Sequence, residues 1–340
     1  MKTEQLRNLP KIELHRHLEG SIPLPLVLQW SRKYHLPLPP GNSDQEIMEG
    51  LQVKQPMSLN PVLERLFYQQ RCFQNLESVE ALTYEALKEI AQDNIKLIEL
   101  RFSPGFMAAP KNLSFDSVME ATLTAKERAE KDFDLGVGFI LISSRDLGIN
   151  VCEGTIDLAL RWRKEIVGID LAGPEEGFPP EDFERPFQRA HRAGLKITTH
   201  YGEASEPHHI VTAIEKLKAR RIGHGVRAAR DKTVLSYLIQ HQIPLELCPT
   251  SNLMTRAIPD IQSHPLRKFM KAGMKVTINS DDPTLFGTTL SHEYEIAARH
   301  LGFSMDEIKK TILTSFEHSF LPNDRKKRLW NKHFKSFTFQ

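Results

Sequence analysis

Eight short apolar runs, each ending in polar, Gly or Pro residues and each followed by a helix-like stretch, predict an α/β fold. From the third run onward they recur roughly every 22 to 32 residues, what one strand, one helix and two loops require. The count of eight favours a closed (β/α)8 TIM barrel. An open doubly wound sheet is the alternative, but no GxGxxG follows the first run to support it.

The first strand is KIELHRH (11–17). Residues 18–95 are too long for one crossover. They hold Pro-rich LPLPPG, then SLNPVLERLFYQQRCF and SVEALTYEALKEIAQDN, and predict a helical insertion at the barrel mouth, where loops build sites and lids. Leu63, Phe67 and Phe73 give that insertion the apolar spacing of a hydrophobic lid. The remaining strands are KLIELRFSP (96–104), LGVGFILISSRD (135–146), IVGIDLAG from Ile166, LKITTHYGE (195–203), RIGHGV (221–226), IPLELCPTSN (243–252) and KVTINSDDP (275–283). Between the fourth and fifth, PEDFERPFQRAHRAG has first-turn acids after a proline and stops at Gly194, good helix punctuation. Residues 303–340 read as closing helices, with the basic run DRKKRLW as a solvated face. The expected organisation is one barrel over 1–340, and α/β barrels of this length are routinely single units.

Composition narrows the function class. A net charge of +2 in 340 residues gives no electrostatic footprint for nucleic acid or an anionic membrane. The chain has no run of about 18 apolar residues and no secretory leader, so no membrane partner and a cytoplasmic location are expected. Three widely spaced cysteines without a CxxC fit neither a disulfide framework nor a sulfur-ligated metal.

The chemistry lies at strand ends. His15 and His17 are two apart in a strand, so they share a face, about 7 Å apart along the chain. His200 ends the fifth strand with Glu203 three residues on, His224 ends the sixth, and Asp281-Asp282 end the eighth. Singly, each has an ordinary structural explanation. Together they mark the C-terminal face, where barrel enzymes place their sites; His208, His209, His241 and His318 fall in helices or loops instead. Imidazoles with a carboxylate suit Zn²⁺, with Fe²⁺ or Co²⁺ as alternatives. Zinc lowers the pKa of bound water from 15.7 to about 7. Glu203, in a dry pocket, is then available as a proton carrier.

HRHLEGS (15–21), DLAGPE (170–175), HYGE (200–203), RIGHG (221–225), CPTSN (248–252) and NSDDP (279–283) resemble, in order and spacing, the motifs of the adenosine deaminase family. HPLRKFMKAG (264–273) is similar to its bacterial members. The resemblance implies one zinc held by His15, His17, His200 and Asp281. It implies Glu203 as the acid that protonates purine N1, and His224 as the group that orients and stabilises the attacking hydroxide. Asp282, protonated, would meet N7, the Gly173 N–H would meet N3, and Glu19 and His17 would also face substrate. The implied reaction is deamination of adenosine and 2′-deoxyadenosine to the inosine nucleosides and ammonia.

Two positions depart from the family pattern. Glu19 stands where Asp is common, and Tyr201 where Ala is usual. They leave adenine, aminofutalosine or an N6-modified adenine nucleotide as alternative substrates. Adenine deaminases often carry Glu at position 19, but they tend to have Asp where this chain has Gly223. A carboxylate at position 19 would repel a 5′-phosphate. A catalytically inactive binding protein is the remaining class, and the intact ligand set and Glu203 argue against it.

Overall fold

The computed structural model describes residues 3–108 and 111–337. Eight strands form one sheet in sequence order: β1 (Lys11–His17), β2 (Ile95–Phe102), β3 (Gly136–Ser144), β4 (Ile166–Ala172), β5 (Ile197–Tyr201), β6 (Arg221–His224), β7 (Leu245–Leu247) and β8 (Val276–Ile278). Every neighbouring pair is parallel. Closure happens at the C-terminal rim. Arg16 bridges Asp281, with His17 N–H donating to Asp281 O at 2.9 Å and Asp281 N–H to His15 O at 3.2 Å. Deeper in, the Asn279 side chain accepts from the Leu14 and His15 amides. The seam therefore runs through the residues singled out for chemistry.

Helices separate the strands, as parallel pairing demands. The stretch between β1 and β2 holds Leu24–Lys33, Asp44–Gly50, Leu59–Gln70 and Leu76–Gln92, so the expected insertion is helical. The last of these starts with a reciprocal cap between Asn75 and Ser78, and Met305–His318 starts with one between Ser304 and Glu307. The apolar core lies between sheet and helices, where Phe73, Phe139, Phe187 and Phe269 are fully buried. No described helix is long and apolar enough to cross a membrane.

Below the rim the interior is ionic. Arg101 pairs with Asp170 at 2.7 Å and Glu246 at 2.8 Å. Arg221 pairs with Glu246 at 2.5 Å and Glu99 at 2.7 Å, all without solvent exposure. The closing helices complete this floor: Ser319 Oγ donates to Glu99 Oε1, and the Phe320 ring lies 3.6 Å under the Arg221 guanidinium. The basic run on Asn323–His333 is only partly the solvated face expected. Arg328 is exposed, but Lys326 is buried and donates to the carbonyls of Phe316, Glu317 and Ser319, capping the preceding helix.

Candidate active site

The strand ends bring the predicted histidines together. Ring centroids of His15 and His200 are 4.5 Å apart, His15 and His224 4.8 Å, and His17 and His200 5.3 Å. Burial holds His15 below and His200 well below the usual imidazole value, so both rings are neutral. His15 donates Nδ1–H to Glu246 Oε2 at 2.8 Å, and His200 donates Nδ1–H to Asp170 at 3.1 Å. Each Nε2 is left as a lone pair facing inward, as in metal-ligating histidines whose other ring nitrogen is held by a carboxylate.

Those lone pairs meet a carboxylate oxygen and a third imidazole. His15 Nε2 is 3.1 Å from Asp281 Oδ1, which is also 3.2 Å from His17 Nε2, and His17 Nε2 is 3.3 Å from His200 Nε2. Both His15 Nε2 and Asp281 Oδ1 are buried without a hydrogen-bond partner. Acceptors packed this closely call for a cation between them. Among the described residues, His15, His200, His224 and Asp281 offer ligand atoms within 4.8 Å of one another, and His17 groups with Asp281 and Asp282. This is a His/Asp metal site. The backbone is strained where it is built: His224 has φ 59° and Asp281 φ 63°, left-handed values uncommon outside glycine.

Glu203 is buried beside this centre, its Oε2 3.6 Å from His224 Nε2 and its Oε1 2.6 Å from Thr255 Oγ1. Burial, reinforced by Asp281 and Glu175 and opposed by His224, raises its carboxyl above the usual value. The turn that carries it hangs on Glu175, which accepts from the amides of Gly202, Glu203 and Ser205 at 2.9–3.1 Å. Asp282 lines the same cavity with Oδ1 unpartnered. Burial pushes it up to about 7, with Asp281 and Glu19 adding to the effect. Gly173 (φ 92°) also lines the cavity, and a Cβ there would stand 2.9 Å from Asp146 Oδ1. Gly223 makes room in the same way, since a Cβ there would be 2.8 Å from His15 Cε1.

The cavity encloses about 490 Å³, counting its part open to solvent, within the range of small-ligand sites. One wall is apolar: Leu59, Val62, Leu63 and Leu66, with Leu285 and Phe286. Of the three residues named for a lid, only one lines the cavity. Leu63 faces the cavity, whereas Phe67 rests against Phe106 and Phe73 is buried in the core. Glu19 is buried behind the lining, with Oε1 accepting from the Ser103 amide at 2.8 Å. Tyr201 points away from the cavity, its ring 4.3 Å from the Arg145 guanidinium and its hydroxyl donating to Phe178 O. The supporting roles of Asp170, Glu175, Glu246, Ser251 and Asn252 were not readable from the sequence. Four of them stood in plain view inside DLAGPE and CPTSN, and only their neighbours in space reveal what they do.

The adenosine deaminase family profile matches residues 10–335. An adenosine deaminase of Vibrio cholerae is 36% identical over 96% of this chain and 97% of its own length. One from Escherichia coli is 35% identical over 95% and 97%. Among solved structures, an adenine deaminase from Arthrobacter aurescens superposes with TM-score 0.88 at 28% identity, over 95% of this chain and 98% of that one. An N6-methyl-AMP deaminase from Arabidopsis thaliana does so with TM-score 0.85 at 27% identity, over 98% of each. Joined to a His/Asp centre at the mouth of a parallel barrel, these matches place the chain in the adenosine deaminase family of metal-dependent hydrolytic deaminases.

Proposed function

We propose that the protein hydrolyses adenosine and 2′-deoxyadenosine to inosine and 2′-deoxyinosine plus ammonia, with one zinc ion held by His15, His17, His200 and Asp281. The observation that carries the reading is the pairing of the crowded acceptors around Asp281 Oδ1 with a buried, raised carboxyl at Glu203 beside them. Imidazoles and a carboxylate are donors that zinc favours, and zinc when bound would supply a hydroxide-like nucleophile near neutral pH.

The chain's own residues do the rest. Glu203, whose carboxyl burial raises above its usual value, donates to N1 of the purine and makes C6 electrophilic. Asp282, raised to about 7, has a proton to offer N7, which carries only a lone pair. The Gly173 amide is free to approach N3 because no side chain intervenes. His224 holds the oxygen that attacks C6, and the amine leaves as ammonia. The helix Leu59–Gln70 supplies the apolar cover that excludes water from the bound base. Three buried thiols fit a reducing, cytoplasmic setting.

Adenine is the second reading, favoured by Glu19 and by the likeness to an adenine deaminase. Gly223 weighs against it, because a larger residue there would press on His15. The test is loss of adenine absorbance and release of ammonia by zinc-loaded protein given adenosine, 2′-deoxyadenosine, adenine and AMP. Turnover of the nucleosides alone supports the proposal. Turnover of adenine alone replaces it with the second reading, and silence on all four removes both.

A further inference from the structure

Behind Glu203 and His224 lies Asn252, fully buried in the short helix Pro249–Met254 after β7. Its Nδ2 is 3.0 Å from His224 Nδ1 and 3.4 Å from Glu203 Oε1. Its Oδ1 is 3.1 Å from His264 Nε2 and also takes the Cys248 amide at 3.4 Å. His264, buried as well, accepts the Leu266 amide at Nδ1, 3.1 Å away.

Two of these donors are main-chain amides, which can only donate. The Leu266 amide makes His264 Nδ1 an acceptor, so a neutral His264 carries its proton on Nε2 and gives it to Asn252 Oδ1. Burial lowers His264 to about 3, which keeps the ring neutral at working pH. The Cys248 amide reaches the same Oδ1 and opposes a flip of the Asn252 side chain. The Asn252 nitrogen is therefore committed to His224, and His224 Nδ1 must accept from it. The proton of His224 is left on Nε2, the atom that lies 3.6 Å from Glu203 Oε2 and 3.8 Å from Asp281 Oδ2.

We propose that His264 and Asn252 are positioning residues that lock His224 in its Nε2–H form, so that it serves the reaction as a hydrogen-bond donor to the attacking oxygen and not as a base. The catalytic consequence rests on the deaminase reading above, but the tautomer does not. The direction of the whole chain is set by an amide at Leu266, outside the cavity lining.

Nitrogen-15 NMR of histidine-labelled, zinc-loaded protein reads the tautomer directly. The expected spectrum has a protonated His224 Nε2 and a pyridine-like, unprotonated Nδ1. In Asn252→Asp, whose carboxylate offers no donor, the proton should move to Nδ1. In kinetics, His264→Leu should lower kcat at least about tenfold with KM near wild type, less than the roughly 10²-fold lost with a proton-transfer group. His264→Gln, which keeps a side-chain N–H for Asn252, should recover most of that loss; a role in packing alone predicts no such rescue. A wild-type His224 protonated at Nδ1 overturns the proposal, as does wild-type kcat in His264→Leu. If the wild type turns over no aminopurine, the deaminase reading fails while the NMR result still decides the tautomer.

Discussion

Glu203 owes its part in the proposed chemistry to its surroundings. A carboxyl in water is ionised at neutral pH and has no proton to give N1. Here burial opposes ionisation, and the Thr255 hydroxyl fixes one oxygen while the other faces His224. Glu203→Gln keeps the shape and removes the proton. It should retain zinc, measured by metal analysis, and lose at least about 10²-fold in kcat. Near-wild-type turnover in that variant would remove Glu203 from the mechanism. The sequence made this residue legible because HYGE places it just past a strand that ends in His200. It could not say where Glu19 and Tyr201 point. Side-chain direction at the end of a strand depends on what packs outside the barrel, and for Tyr201 that is Arg145, a residue 56 positions earlier.

At the scale of elements, two segments shape the site. The helix Leu59–Gln70 presents Leu59, Val62, Leu63 and Leu66 to the cavity at helical spacing, while Phe67 turns toward Phe106. Sequence periodicity found the helix but not its orientation, because both flanks of its apolar stripe are hydrophobic. Leu63→Ala should therefore raise KM several-fold, and Phe67→Ala should leave KM near wild type; steady-state kinetics on adenosine in which only Phe67→Ala raised KM would reverse the assignment. The second segment is the turn after β5, held by Glu175. Burial opposes ionisation of Glu175, yet the Arg145 guanidinium and the donors of Ser205 bring its pKa below the ordinary carboxylate value. A carboxylate with a depressed folded-state pKa stabilises above its unfolded value, about 4.3, and that contribution is lost as pH falls through this value toward the folded one. Melting temperature measured against pH should fall more steeply below about pH 4 in the wild type than in Glu175→Gln, which cannot titrate there. Parallel curves would mean that the carboxylate adds no acid-sensitive stability.

Across the whole molecule, the fold and the site share one foundation. The eight-strand rhythm was legible because each β-run has its own polar stop, and the C-terminal placement of the histidines followed from it. The ionic floor was not legible. Glu99, Arg101, Asp170, Arg221 and Glu246 lie on four different strands, and a charged residue in an apolar run looks like a solvent-facing position until the barrel closes over it. Arg101 ties two strands' carboxylates together. Asp170 then holds His200, and Glu246 holds His15. Removing one partner of a buried pair leaves uncompensated charge, which typically costs about 3–5 kcal/mol. Arg101→Met should therefore lower unfolding free energy by about that amount in chemical denaturation, with the loss only weakly screened by added salt because the pairs are dry. It should also weaken zinc retention against a chelator, since the carboxylates that orient both imidazoles lose their anchor. A stability loss without a change in zinc affinity would show that the floor supports the barrel but does not orient the metal site.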